Sequence, residues 1–279
     1  MAPRVVLALL AALLVAGCAG DSGDTTTAPP PTTTTSSPVT PTSTTVPPVT
    51  YPAAASGTFP GELQWSDSRR FFLVTIPEGY DPAIAWPLIV NLHAERETAA
   101  FHATGTGMAD RGAARGYLIA HPQAAGAEQA WDPAPGLEDR QFLQLLVMEL
   151  TASYHIDQIF LAGMSKGAGI AQWLTCDIEG ISGFAAISGW YPDAVDCAPI
   201  QPISILGAHS TLDDVTPIDG SPGATIGFAT WAAAWALFND CDEAPRSAVT
   251  AQGETRTWAA CAGDTVVETY TLGSGGHSW

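Results

Sequence analysis

Short runs of nearly continuous apolar residues recur from residue 58 to the end of the chain. The runs are FFLVTIP (71–77), WPLIVNLH (86–93), GYLIAHP (116–122), QIFLAG (158–163), GFAAISG (183–189), ISILGAH (203–209) and TVVETYTLG (265–273). Each is rich in β-forming residues. In all but the last run the apolar side chains do not alternate with polar ones, which indicates strands that are buried on both faces.

Stretches with apolar residues at helical spacing separate these runs. The two clearest, 137–154 and 224–240, carry on one face Phe142, Leu145, Leu146 and Leu150, and Trp231, Trp235 and Phe238, respectively. Shorter helices are expected within GTGMADRGAARG (105–116) and over 166–175. Because strands alternate with helices, the pattern predicts an α/β fold with a mostly parallel sheet and helices on both faces.

The first residues follow a different pattern. Arg4 precedes an apolar run over 5–15, and VAGC then places small residues directly before Cys18. The run is too short to span a bilayer comfortably. It is typical of a signal peptide over 1–17, and VAGC resembles a bacterial lipobox, in which the cysteine is lipidated after cleavage. A plain secretory signal with an incidental cysteine is the alternative.

Residues 18–57 predict a tether. After Cys18 the segment consists mostly of Thr, Pro and Ser, which offer too little apolar surface to offset the entropy of ordering. Proline keeps such a segment extended and fairly stiff. We therefore expect residues 58–279 to form the folded domain, which is either secreted or held outside the cytoplasm by a lipid anchor.

The charge balance narrows the range of partners. The chain has 10 Lys and Arg against 28 Asp and Glu, a formal net charge of −18. Such an acidic surface disfavours nucleic acids and anionic lipid headgroups as partners. A monomer is expected.

Four cysteines remain when Cys18 is set aside, and an even number in an exported chain indicates two disulfides. Three pairings are possible. We favour Cys176–Cys197 and Cys241–Cys261, because each closes a loop of about 20 residues within one supersecondary unit. Metal binding is a weak alternative, since no two of them have the short spacing of a zinc knuckle.

Ser165 lies in LAGMSKGAGI (161–170), between a predicted strand and a predicted helix, with Gly163 and Gly167 two residues to either side. A nucleophilic serine at a sharp strand-to-helix turn needs small residues there, because strand and helix approach closely. An ordinary glycine-rich loop with a surface serine is the alternative.

An acid and a base follow Ser165 in the chain order of the α/β-hydrolase triad. Asp213, in AHSTLDDVTP, comes just after a predicted strand, with Asp214 as its competitor and a plain turn as the structural alternative. His277, in GSGGHSW, is the one histidine after this acidic loop, two residues before the end of the sequence. An imidazole can accept the serine proton and return it to a leaving group.

These segments resemble the polyhydroxybutyrate depolymerase and feruloyl/acetylxylan esterase family. GMSKGAG, AHSTLDDVTP and GSGGHSW are similar to its GxSxGG, HGTxDxxVP and GGGHxWP motifs. The resemblance implies an α/β-hydrolase fold over 58–279 and carboxylester hydrolysis without metal or cofactor. It places the nucleophile at Ser165, the acid at Asp213 and the base at His277.

The resemblance also implies an oxyanion hole, made by the backbone N–H groups of Glu95 and Lys166. The family has His-Gly where this chain has His93-Ala94, and alanine enters the left-handed region only at a cost. Lys166 is the only lysine of the chain and opens a predicted helix. A solvated lysine is the simpler interpretation, and an ion pair with Glu95 is the alternative.

Together these residues predict a lipid-anchored serine esterase. The resemblance implies polymer-linked substrates, either feruloyl or acetyl groups on xylan or a polyhydroxyalkanoate. The rival hypothesis is a catalytically silent lipoprotein that uses the same fold to bind a glycan or another cell-wall component. The altered loop after His93 favours the rival, whereas the presence of all three triad residues favours the enzyme.

Overall fold

A computed structural model describes residues 53–65, 68–132, 138–192, 199–242 and 244–279. These described residues do not include the predicted signal peptide, Cys18, the tether up to residue 52 or Cys197.

Ten strands of the described residues form one sheet. They are β1 (Gly57–Trp65), β2 (Ser68–Ile76), β3 (Trp86–Leu92), β4 (Leu118–Pro122), β5 (Ile156–Met164), β6 (Ile181–Ile187), β7 (Ser204–Ser210), β8 (Arg246–Thr250), β9 (Gly253–Trp258) and β10 (Val267–Leu272). Their order across the sheet is β1-β2-β4-β3-β5-β6-β7-β10-β9-β8. The six central strands, from β4 to β10, run parallel. Antiparallel pairs extend both edges, so the predicted mostly parallel α/β sheet is confirmed.

The described residues form the helices α1 (Ala99–Gly105), α2 (Met108–Ala113), α3 (Glu138–Ser153), α4 (Lys166–Asp177) and α5 (Phe228–Phe238), and a 3₁₀ turn at Ala262–Asp264. The helix expected within 105–116 is confirmed by α2, and the last residue of α1 also lies in this segment. Gly107 lies between these two helices with φ of 64°, a left-handed conformation that a helix cannot continue through. The Thr98 hydroxyl accepts a hydrogen bond from the Phe101 N–H and so begins α1.

The core lies between the central strands and their helices. β4 is buried along its whole length, whereas β5 is buried only from Leu161 onward, towards its carboxyl end. The helix α4 packs on β5, and its first turn contains the small residues Gly167, Ala168 and Gly169, which permit a close approach. Trp231 and Trp235 are buried on one face of α5, as their spacing predicts, and pack against Phe184 of β6.

Strands β1, β8 and β9 were not predicted from the sequence. β1 contains Pro60 and Gly61, which disfavour strands, yet it pairs with β2 along its full length at the edge of the sheet, where proline is tolerated. Every residue of β8 is exposed, so this strand has no apolar face to reveal it in the sequence. Pairing with β9 is what defines it.

The structure joins Cys241, just after α5, to Cys261 by a disulfide. Cys176, in the last turn of α4, is also disulfide-bonded. The predicted pairing of Cys176 with Cys197 stays a prediction, because Cys197 is not among the described residues. None of the described helices has the length and apolar character needed to cross a bilayer.

Candidate active site

Ser165 occupies the junction between β5 and α4 with φ of 54° and ψ of −122°. A non-glycine residue in such a conformation costs about 1–3 kcal/mol and persists only where the surroundings enforce it. Here they do. A Cβ atom on Gly163 would lie 2.4 Å from the backbone of Gly167, and a Cβ on Gly167 would lie 2.3 Å from the Leu92 carbonyl oxygen. The strained turn is the geometry that the two flanking glycines predict.

Backbone hydrogen bonds hold the Ser165 peptide groups on both sides. Its N–H donates to the Ile187 carbonyl at 3.2 Å, and its carbonyl accepts from the N–H of Trp190 at 3.0 Å. The residue is buried to 7 % exposure. Its hydroxyl forms no hydrogen bond with any described residue, which leaves the oxygen uncommitted.

Asp213 follows β7 and is buried. Its Oδ1 accepts the N–H groups of Val215 at 3.0 Å and Thr216 at 2.8 Å, and its Oδ2 lies 3.1 Å from the Thr216 hydroxyl. The aspartate therefore organises its own turn and still directs a carboxylate oxygen towards His277. Its competitor Asp214 is exposed and makes no hydrogen bond or ion pair with a described residue.

His277 meets Asp213 directly. The Nδ1–H of His277 donates to Asp213, at 2.9 Å from Oδ2 and 3.1 Å from Oδ1. Burial alone would raise the pKa of Asp213, but the hydrogen bond from His277 and those from the backbone of Thr216 and Val215 outweigh it and lower this pKa below its ordinary value. The carboxylate is thus held ionised beside the imidazole. The other ring nitrogen of His277, Nε2, has no hydrogen-bond partner among the described residues.

Sequence reasoning missed the residues that hold this acid loop. His209, at the end of β7, is buried, and its Nε2–H donates to the Thr216 carbonyl at 2.7 Å. Its Nδ1 lies 3.1 Å from the Tyr191 hydroxyl, which in turn accepts the Gly189 N–H. Burial lowers the pKa of His209, so its neutral form is favoured and the two ring nitrogens keep distinct roles.

Ser188 is a second missed residue, and it connects three loops. It follows β6 directly with φ of 45°, and its hydroxyl donates to the Ser278 carbonyl at 2.8 Å, next to His277. Its own carbonyl accepts the Thr216 hydroxyl at 3.1 Å. The preceding residue, Ile187, accepts the N–H of Ser165. The end of β6 therefore links the nucleophile, acid and base loops. A non-glycine residue at positive φ after a strand has no clear signature in the sequence.

The two predicted oxyanion donors lie after β3 and at the start of α4. Neither the Glu95 N–H nor the Lys166 N–H donates a hydrogen bond within the described part of the chain. The Ala94 N–H, in contrast, is taken by Glu97 Oε2 at 3.2 Å. Ala94 has no positive φ, and Arg96 adopts the left-handed conformation instead, with φ of 65°. The left-handed backbone conformation that was expected at Ala94 is therefore adopted two residues later, by Arg96.

The side chains of these two donors also meet. Lys166 Nζ lies 2.9 Å from Glu95 Oε1, and both side chains are a little over one-third exposed. The ion pair is thus formed, and the simpler interpretation of Lys166 as a solvated lysine was wrong.

A separate group of buried imidazoles lies behind the loop after β3. Burial lowers the pKa of His93 and His102 to about 4 and that of His121 to about 3. His102 Nδ1 lies 3.0 Å from Glu97 Oε2, and its Nε2 lies 3.3 Å from Asn91 Oδ1. Among the described residues, no three His, Cys, Asp or Glu side chains form a cluster that could hold a metal ion.

Two curated proteins are similar to the chain in sequence. Feruloyl esterase B of Piromyces equi is 26% identical over 229 residues, 75% of this chain and 42% of that protein. Probable feruloyl esterase C of Aspergillus terreus is 29% identical over 160 residues, 54% of this chain and 57% of that protein. The chain thus spans about half the length of the curated relatives it matches. No family model matches it.

Solved structures share the fold. Acetyl xylan esterase from Aspergillus awamori superposes with a TM-score of 0.62 at 14% identity, over 79% of this chain and 94% of that one. A thermostable esterase superposes with a TM-score of 0.50 at 18% identity, over 61% and 53% of the two chains. The predicted α/β-hydrolase fold is confirmed. The curated relatives confirm the resemblance to feruloyl esterases.

Proposed function

We propose that this chain, which is related to the feruloyl and acetylxylan esterases and has their α/β-hydrolase fold, is a serine carboxylester hydrolase. The observation that carries the proposal is the hydrogen-bonded His277–Asp213 pair, which shares the end of β6 with the strained turn of Ser165. A serine at such a turn and an imidazole oriented by a buried carboxylate are the parts that acyl transfer requires.

In the proposed mechanism, His277 Nε2 accepts the Ser165 proton while the serine oxygen attacks the ester carbonyl carbon. Asp213 holds the ring in the tautomer whose Nε2 is free, and it stabilises the imidazolium that forms. The N–H groups of Glu95 and Lys166 receive the negative charge that develops on the carbonyl oxygen. The imidazolium then protonates the departing alcohol. Water, deprotonated by His277, then attacks the acyl-enzyme; the acid is released, and His277 returns the proton to the departing Ser165 oxygen.

The proposed substrates are esters attached to polymers. The names of the relatives, feruloyl esterase and acetyl xylan esterase, favour feruloyl or acetyl groups on xylan. Support for a polyhydroxyalkanoate rests only on the motif resemblance.

We further propose that the enzyme acts outside the cytoplasm as a monomer. The signal-like residues 1–17, the lipobox-like cysteine Cys18 and the Thr/Pro-rich tether up to residue 57 support a lipid-anchored domain over 58–279. The disulfide between Cys241 and Cys261 fits an oxidising compartment. Labelling with radioactive palmitate, lost in Cys18→Ser, would test the anchor. Labelling that persists in this variant would refute it.

The decisive experiment is hydrolysis of p-nitrophenyl acetate and methyl ferulate by the purified protein and by Ser165→Ala. We expect turnover of at least one ester and its loss in the variant, with an unchanged thermal unfolding midpoint. The ratio of the two rates then distinguishes acetyl from feruloyl preference. Equal rates for the two proteins on both esters would refute the assignment of Ser165, and no turnover by either would favour the silent binding lipoprotein.

A further inference from the structure

The two residues that would supply the oxyanion hole are joined through their side chains as well as placed side by side by the fold. Lys166 Nζ and Glu95 Oε1 lie 2.9 Å apart although the residues are 71 positions apart in sequence. One belongs to the loop after β3 and the other is the first residue of α4. The ion pair therefore connects the two segments whose separation sets the width of the hole.

Each charge is unfavourable at its position without the other. The amino end of a helix carries partial positive charge, so an ammonium group on the first residue of α4 is repelled. A carboxylate on the loop after β3 lies next to the place where the carbonyl oxygen would become negative, and so opposes the transition state. Together they form a neutral pair, which removes both penalties.

We propose that Lys166 is a positioning residue that neutralises Glu95 and holds its carboxylate away from the developing oxyanion. This inference rests on the proposed esterase function. Through the same contact, Lys166 fastens the loop after β3 to α4, so that both N–H groups point to one place. Ala94 does not take part, since its N–H is committed to Glu97.

A second ion pair provides a matched control. Arg256 Nε lies 2.9 Å from Glu254 Oε1, with side chains 41% and 30% exposed, against 38% and 36% for Lys166 and Glu95. Arg256 and Glu254 both belong to β9, near the edge of the sheet. Lys166→Met and Arg256→Met therefore remove the same charge from ion pairs of equal length and similar exposure, one at the site and one away from it.

The test is steady-state kinetics on p-nitrophenyl acetate with Lys166→Met, Glu95→Gln, the double variant and Arg256→Met. We expect Lys166→Met to lower kcat about tenfold with KM within about twofold, because an unpaired carboxylate beside the proposed oxyanion hole would oppose the developing charge at an effective dielectric of about 20. Glu95→Gln alone should lower kcat less than about threefold. The double variant should recover most of the loss, and Arg256→Met should leave kcat unchanged.

Recovery in the double variant is the result that a merely structural lysine would not give. If the double variant is as slow as Lys166→Met, or if Lys166→Met keeps the parent kcat, the inference is wrong. Thermal unfolding shows whether Lys166→Met folds. If it does not, Lys166→Arg must retain clearly more of the parent kcat than Lys166→Gln does, and equal rates for these two would refute the inference. A parent protein with no Ser165-dependent turnover refutes the proposed function itself, which is a different outcome.

Discussion

Two of the histidine–carboxylate pairs among the described residues have nearly the same contact distance. His277 Nδ1 is 2.9 Å from Asp213 Oδ2, and His102 Nδ1 is 3.0 Å from Glu97 Oε2. We call them the outer pair and the inner pair. The distance between imidazole and carboxylate does not distinguish them, but the surroundings of the second ring nitrogen do.

In the inner pair, Nε2 of His102 lies 3.3 Å from Asn91 Oδ1, and the side chain is only 2% exposed. Burial lowers the pKa of His102 to about 4, so it is neutral at pH 7. In the outer pair, His277 is 15% exposed and its Nε2 has no partner among the described residues. A general base needs such an uncommitted nitrogen within reach of a substrate proton.

The inner pair supports the loops around the outer one. Glu97 accepts the Ala94 N–H as well as the hydrogen bond from His102. The ring of His102 also packs edge-on against Trp279, two residues after His277, with ring centroids 5.3 Å apart. The inner pair therefore contributes to the stability of the loops, whereas the outer pair is available for chemistry.

The largest effect should come from replacing the two histidines by the same residue. His277→Gln removes the proposed base, and we expect kcat/KM for p-nitrophenyl acetate to fall on the order of 10⁵-fold with little change in the unfolding midpoint. His102→Gln should instead keep kcat/KM within about tenfold and lower the free energy of unfolding by about 1–3 kcal/mol. Similar losses of activity in the two variants would remove the distinction between the pairs.

Replacing the two carboxylates gives the next largest difference. Asp213→Asn can no longer hold the His277 tautomer, and kcat/KM should fall on the order of 10⁴-fold. Glu97→Gln keeps an oxygen for the Ala94 N–H, and its effect on kcat/KM should be less than about tenfold. Stopped assays of both variants at saturating and at limiting ester concentrations would measure these two changes in kcat/KM. A Glu97→Gln variant as inactive as Asp213→Asn would mean that the inner pair takes part in the chemistry.

Structural features that depend on residues close together in the chain could be predicted from the sequence. The Ser165 turn could be predicted because its requirement, small residues at 163 and 167, lies within two positions of the serine. The central strands and the longer helices could be predicted because their burial is visible in their own residues. The split between α1 and α2 was missed, since Gly107 looks the same in sequence whether a helix stops there or continues.

Contacts between distant residues could not be predicted. Ser188 acts on Ser278, 90 positions away, and the Thr216 hydroxyl lies 3.2 Å from His277 Nδ1 across 61 positions. The sequence segments around Ser188 and Thr216 contain no pattern that indicates these partners. The ion pair of Lys166 with Glu95 was only one of two interpretations for the same reason, since it depends on how β3 and β5 align.

The inner pair and its neighbouring histidines should make the free energy of unfolding vary with pH. In the unfolded chain, histidine has a pKa near 6.5, whereas burial lowers the pKa of His93 and His102 to about 4 and that of His121 to about 3. Between these values the unfolded state binds more protons, so the free energy of unfolding falls as the pH is lowered from about 6.5 to about 4.

Urea unfolding at several pH values between 4 and 7.5 measures this dependence. The free energy of unfolding of His102→Gln should depend less steeply on pH than that of the parent, because the variant lacks one of the histidines whose pKa is lowered by folding. The lowered pKa of Asp213 does not interfere, since a carboxylate of this kind loses its contribution only below about pH 4, its ordinary pKa. A parent protein whose stability is constant from pH 7.5 to 4.5 would show that these histidines titrate normally and that the inner pair is open to water.

The smallest effect concerns how the outer imidazole is held in place. The Ser188 hydroxyl anchors the Ser278 carbonyl from the nucleophile side at 2.8 Å, and Trp279 rests on His102 from the inner side. One such hydrogen bond contributes about 0.5–1.5 kcal/mol, so Ser188→Ala should lower kcat about two- to tenfold with KM unchanged. Trp279→Ala should lower it less, because the exposed ring makes no hydrogen bond to the loop. The reverse order would mean that the inner pair, through Trp279, is what positions the base, and the two pairs would then form one coupled unit.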